Sequence, residues 1–144
     1  MSTRHKEIAY KWYKQAKHDL LMAEKNVSIE GYDIASFLAQ QSVEKLLKSI
    51  IAIEGKNIPK THYLDDLSRL LGISGEILND VLDLTADYMF SRYPDVGDRV
   101  PYEEYDIHLA KEKVGKAKRI FDYLKIRYKQ LSAFDSTEKE GNNG

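Results

Sequence analysis

Hydrophobic positions recur at helical spacing along almost all of this 144-residue chain. In the first segment Ala9, Trp12, Tyr13, Ala16, Leu20, Ala23 and Val27 step by three and four, so they fall on one helical stripe. Lys11, Lys14, Lys17 and Lys25 fall largely elsewhere. Gly31 separates this helix from a second, from about Tyr32 to Glu54, that is apolar over a wider arc. Its apolar positions are Ile34, Ala35, Leu38, Ser42, Leu46, Ile50 and Ile53, joined by Phe37, Val43, Leu47 and Ile51. A helix apolar around most of its circumference reads as the central, most buried one. Gly55 stops it and Pro59 reinforces the stop.

Thr61 reads as the N-cap of a short helix through Leu64, Leu67, Leu70 and Leu71, closed by Gly72. Ser74 reads as the cap of a fourth, with Ile77, Val81, Leu84, Tyr88 and Met89 inward, ended by Pro94. A loop from Asp95 to Pro101 follows. The last helix carries Ile107, Ala110, Val114, Ala117, Phe121, Leu124, Tyr128 and Leu131 in a heptad-like seam. After Ala133 the sequence DSTEKEGNNG is polar, and a disordered tail over 134–144 is expected. No window alternates with period two between hairpin turns. The expected fold is all-α: one up-and-down helical bundle over residues 1–133, of four long helices plus one short helix.

Composition narrows the class. At 42% hydrophobic and 31% charged, with a mean hydropathy of −0.53, the chain resembles a soluble globular domain. Its longest uncharged stretch, Ile34 to Val43, is too short and too polar to cross a bilayer, and no secretory signal pattern is seen. Cysteine is absent, which removes disulfides, thiolate metal sites and cysteine nucleophiles and fits a cytoplasmic location. No metal-binding motif and no Gly-rich phosphate loop occurs, so no metal or cofactor is expected.

Net charge is only −1, but it is segregated. Residues 1–26 carry six Lys/Arg against three Asp/Glu, and residues 108–134 carry eight against two. Residues 61–107 carry three against eleven. Either the basic ends neutralise the acidic middle within the bundle or in a second copy, or they form a face for a nucleotide, RNA or acidic protein.

Candidate chemistry lies on two elements. Gln41, Glu44, Lys45 and Lys48 share one face of the central helix. They read either as its solvated stripe, with a Glu44–Lys48 ion pair, or as a ligand- or partner-facing groove. Arg92 and Tyr93 precede Pro94; Arg92 either caps helix-terminal carbonyls or pairs with a nearby acid such as Asp87 or Asp95, or it engages phosphate. His62 stands where helix capping and hydrogen bonding inside the bundle compete with a catalytic role. His18 reads as an exposed helical histidine.

Several of these segments, in order, are similar to the HEPN domain family. The similarity runs from Ala16-Lys17-His18-Asp19-Leu20 with Ala23, through Gly31-Tyr32-Asp33-Ile34-Ala35-Ser36-Phe37-Leu38-Ala39-Gln40-Gln41-Ser42-Val43-Glu44-Lys45-Leu46-Leu47-Lys48. It continues in Pro59-Lys60-Thr61-His62-Tyr63-Leu64 and ends at Ser91-Arg92-Tyr93-Pro94-Asp95. The resemblance implies a small helical bundle that commonly dimerises. Many members are encoded beside a minimal nucleotidyltransferase and bind it, some as toxin–antitoxin pairs. Others are metal-independent RNases, in which an arginine carries phosphate charge and a histidine a few residues later serves acid–base chemistry.

This chain departs from that RNase pattern. Arg92 is followed by Tyr93-Pro94-Asp95-Val96-Gly97-Asp98-Arg99, and the next histidine is His108. The expected function is therefore an accessory binding protein, homodimeric, that partners a minimal nucleotidyltransferase or binds nucleotide through Gln41, Glu44, Lys45, Lys48, His62, Arg92 and Tyr93. The alternatives are an RNase toxin using Arg92 and His108, or a purely structural helical dimer. The seam of the last helix and the ten tyrosines suit either a dimer interface or burial within one chain.

Overall fold

The computed structural model describes residues 3–87, 93–95 and 98–142, with side chains through Asp135. The sequence expectations for Tyr88, Met89 and Arg92 lie outside the described residues. Six helices are described: α1 (Thr3–Ser28), α2 (Tyr32–Ile53), α3 (Leu64–Leu71), α4 (Glu76–Thr85), α5 (Pro101–Glu104) and α6 (Ile107–Asn142). The all-α expectation holds, and α1, α2 and α6 are its long helices. α4 is shorter than expected, with its described span ending at Thr85.

α2 touches each of the other described helices, as its wide apolar arc requires. Leu46, Leu47, Ile50, Ile51 and Ile53 are fully buried against Leu64 and Leu67 of α3, Leu84 of α4, and Ile120, Leu124 and Leu131 of α6. The broadest interface joins α1 and α2. Ala9, Ala16 and Ala23, spaced at seven residues, are wholly buried on α1, as are Ala35, Ala39 and Ser42 on α2. Small side chains on both surfaces let the two backbones come close.

The helix ends show where turn chemistry decides the path. α2 and α3 close with a glycine in the left-handed region, Gly55 at φ 82° and Gly72 at φ 65°. The amide two residues past each last turn then bonds back, Lys56 N–H to Ile51 O at 3.0 Å and Ile73 N–H to Ser68 O at 3.0 Å. α1 closes in the same way, with Gly31 N–H donating to Asn26 O at 2.8 Å, but its left-handed residue is Glu30 at φ 65°. Gly31 serves a different need, because a Cβ there would meet Asn26 Oδ1 at 2.8 Å.

Both expected caps shift. α3 begins at Leu64, so Thr61 is not its N-cap; its hydroxyl accepts the Tyr63 amide at 3.1 Å and donates to Asp66 Oδ2 at 3.0 Å. α4 is preceded by Gly75 rather than Ser74. Three apolar side chains expected inward, Ile34, Leu70 and Ile107, are exposed, whereas Ile120 is fully buried. Ile120 lies one residue off the heptad seam, because a straight helix of 3.6 residues per turn presents a broader face than that seam.

The last helix does not end at Ala133 but runs to Asn142. Its extension is held by α1: the Phe134 ring lies 5.4 Å from that of Tyr10, whose hydroxyl donates to Asp135 Oδ1 at 2.8 Å. Asp135 also pairs with Lys17 and accepts from the Tyr13 hydroxyl at 3.4 Å. Burial pushes the Asp135 carboxyl upward, but Lys17 and the two tyrosines outweigh it and leave it below the usual aspartate value. The same contact raises Tyr13 to about 12, with burial the larger cause. A carboxylate with a depressed folded pKa stabilises above its unfolded value of 3.8 and loses that contribution as pH falls through the folded one. Asp135→Asn should therefore lower the thermal midpoint at pH 7, and the gap to wild type should narrow as pH drops below 3.8, measured by circular dichroism melts.

Candidate functional site

The polar residues of α2 point into a layer between α1, α2 and the connection leading to α3. That connection is pinned from both sides: Gln40 Nε2 donates to His62 O at 3.1 Å, and Leu64 N–H donates to Thr85 Oγ1 at 2.9 Å. His62 is thereby held over α2, with Nδ1 3.3 Å from both carboxylate oxygens of Glu44. Glu44 is 3% exposed and Lys48 4%. Lys48 Nζ lies 3.2 Å from Glu44 Oε2 and 5.3 Å from the ring centroid of Trp12 on α1. An ammonium over an indole face, paired with a carboxylate, recovers part of the cost of leaving water.

One turn away, Lys45 pairs with Asp19 of α1, itself 4% exposed, and Gln15 Nε2 donates to Asp19 Oδ1 at 2.8 Å. Gln41 Nε2 donates to Gln40 Oε1 at 2.7 Å. The layer thus joins Gln41, Glu44, Lys45, Lys48 and His62, five of the residues singled out from the sequence. It adds Trp12, Gln15, Asp19 and Gln40, which were not. Asp19 was legible in principle, since it falls among Ala16, Leu20 and Ala23 on the apolar stripe of α1. A charge there needs an opposite charge across the helix interface.

This geometry changes the meaning of the run on α2. It is not a solvated stripe, because Glu44 and Lys48 are buried. The expected Glu44–Lys48 pair exists, but inside the protein. Two lysines face two carboxylates, so these four charges balance within the layer. The half-exposed side chain of His62 is its most open ionisable member, at 49% exposure against 21% for Lys45. Chemically, the layer offers hydrogen bonding from Gln41 and His62 rather than a free cationic cradle for phosphate.

The remaining candidates lie apart on the chain. Arg92 is outside the described residues, and Tyr93 is exposed. His108 is exposed in the first turn of α6. Asp87, a proposed partner of Arg92, is buried and accepts from the Tyr105 hydroxyl, with Lys113 Nζ 3.0 Å from its second oxygen. Burial raises the Asp87 pKa, against the opposing pull of Tyr105 and Lys113. Among the described residues no group of three His, Cys, Asp or Glu side chains is placed to hold a metal ion, and no helix is long and apolar enough to cross a membrane.

Comparison with known proteins gives consistent matches. The HEPN domain family model matches residues 9–127. Among solved structures, TT1696 from Thermus thermophilus superposes with a TM-score of 0.74 at 25% identity, over 83% of this chain and 97% of that one. ST0689, described as an archaeal HEPN homologue, superposes with a TM-score of 0.70 at 34% identity, over 85% and 97%. A search of curated proteins finds no match.

The buried pair makes a quantitative prediction. Glu44→Ala or Lys48→Ala alone strands a charge and should cost about 3–5 kcal/mol in urea unfolding. The double replacement Glu44→Leu/Lys48→Met should cost far less than the sum of the two. Additive losses would mean that the pair is solvated.

Proposed function

The chain belongs to the HEPN domain family, and we propose that it acts as an accessory binding protein: a homodimer that docks a partner protein instead of cleaving RNA. The observation that carries this reading is the balance of these four charges within the α2 layer. Lys45 and Lys48, the cations that a nucleotide would use, are engaged by Asp19 and Glu44. What the same stripe of α2 offers outward is apolar or neutral: Ile34 at 49% exposure and the partly exposed Phe37, Leu38 and Gln41. Tyr63, at 46%, adjoins His62. A surface of aliphatic, aromatic and amide groups with few free charges has the composition of an interface core. The resemblance supplies the partner, a minimal nucleotidyltransferase, and with it a toxin–antitoxin role. The spacing from Arg92 to His108 disfavours the RNase alternative.

Light scattering on the eluted protein tests the reading. Wild type should have twice the 16.6 kDa chain mass and should retain a co-expressed minimal nucleotidyltransferase. Ile34→Asp/Tyr63→Asp should be a folded monomer that no longer retains it. A monomeric wild type, or cleavage of total RNA that His108→Ala abolishes, would overturn the proposal.

A further inference from the structure

The cations of α6 divide into two flanks with different fates. On one flank, Lys113, Lys116, Arg119 and Arg127 are paired with Asp87, Asp83, Asp80 and Glu54. Three of these carboxylates belong to the acidic middle of the chain and Glu54 follows α2; the pairing engages both arginines of the helix. The other flank carries Lys111, Lys118 and Lys125 at seven-residue steps, followed by Lys129. Seven residues advance about 10 Å and nearly two full turns, so these lysines form a row along one side of the helix. Lys118 meets Glu24 of α1 at 2.7 Å. Among the described residues, no carboxylate lies within ion-pair distance of Lys111, Lys125 or Lys129.

The row borders the groove between α6 and the antiparallel α1. A hollow of about 260 Å³ opens there, lined by Glu24, Val27, Lys111, Val114, Gly115 and Lys118. On the α1 side, Lys14 and Lys17 stand against the Tyr10 and Tyr13 rings, at 5.1 and 4.9 Å from the centroids. Acidic groups cancel the row only in part: Glu24 engages Lys118 and Asp122 lies at the edge, while Glu112 and Asp135 are engaged by Lys116 and Lys17.

We propose that this lysine row is a docking face for the phosphate backbone of single-stranded nucleic acid. Charge complementarity selects the occupant. A linear series of point charges fits a linear polyanion, and lysine contacts phosphate without requiring a fixed bidentate geometry. The arginines that could impose such geometry are turned to the other flank. The face shares no residue with the α2 layer, so it stands or falls independently of the proposed dimer.

Fluorescence anisotropy with a labelled uridine 20-mer tests it on the full chain. Affinity should fall about 20-fold between 50 and 200 mM salt, the log–log slope near −2 expected for roughly three neutralised phosphates on a single strand. Lys111→Gln/Lys125→Gln/Lys129→Gln should lose at least about 10-fold in affinity at 50 mM salt and most of the salt slope, with its melting temperature unchanged. Lys113→Gln/Lys116→Gln, on the paired flank, should bind as wild type while melting earlier. Absence of binding at 50 mM salt, or a triple variant that binds as wild type, would overturn the proposal. So would polyglutamate or phosphatidylserine vesicles that compete as strongly as the RNA at equal charge.

Discussion

The structure depends on the burial of the second half of α2. Between Ser42 and Ile53 every residue of α2 except Lys45 is buried, so charged residues there have no wet face to which they can retreat. Ionised side chains on such a helix persist only when paired, because an isolated buried charge costs far more than one contact returns. The ion pairs to Asp19 and between Glu44 and Lys48, the seating of Lys48 on Trp12, and the anchoring of His62 by Gln40 all follow from that constraint. So does the small-residue seam of Ala9, Ala16 and Ala23, which lets α1 lie close enough for Trp12 and Asp19 to reach α2.

Charge is thereby sorted by position rather than by amount. Inside the bundle, lysines and carboxylates match. Between α4 and α6, the acidic middle of the chain meets one basic flank, and Asp87 is drawn into a buried contact with Tyr105 and Lys113. Among the described residues, Lys111, Lys125 and Lys129 on the far flank of α6 have no carboxylate within ion-pair distance. A chain with a net charge of −1 can in this way carry one locally cationic face and one nearly neutral, partly apolar face.

Much of the architecture was legible because hydrophobic spacing is a strong signal in long helices: the extent of α2 and the buried positions Ala9, Tyr13, Ala16 and Ala23 emerge directly from it. What escaped depends on contacts between elements. The seam of α6 includes Ile120, which a strict heptad skips, and Asp135 looks like the start of a polar tail until Tyr10, Tyr13 and Lys17 are brought alongside it. Thr61 has the residue type of an N-cap, but the pinning of His62 by Gln40 and of Leu64 by Thr85 starts the helix later. At the candidate site the residue types were readable and their exposure was not. A polar stripe on a central helix has the same sequence whether it faces water or a buried carboxylate on the next helix.

Amine acylation of the native protein, read lysine by lysine by mass spectrometry, addresses the central claim most directly. Lys48 should stay unmodified while Lys111, Lys125 and Lys129 react to completion, with Lys45 between them, and urea should erase the difference. Native Lys48 reacting as fast as Lys125 would contradict the account.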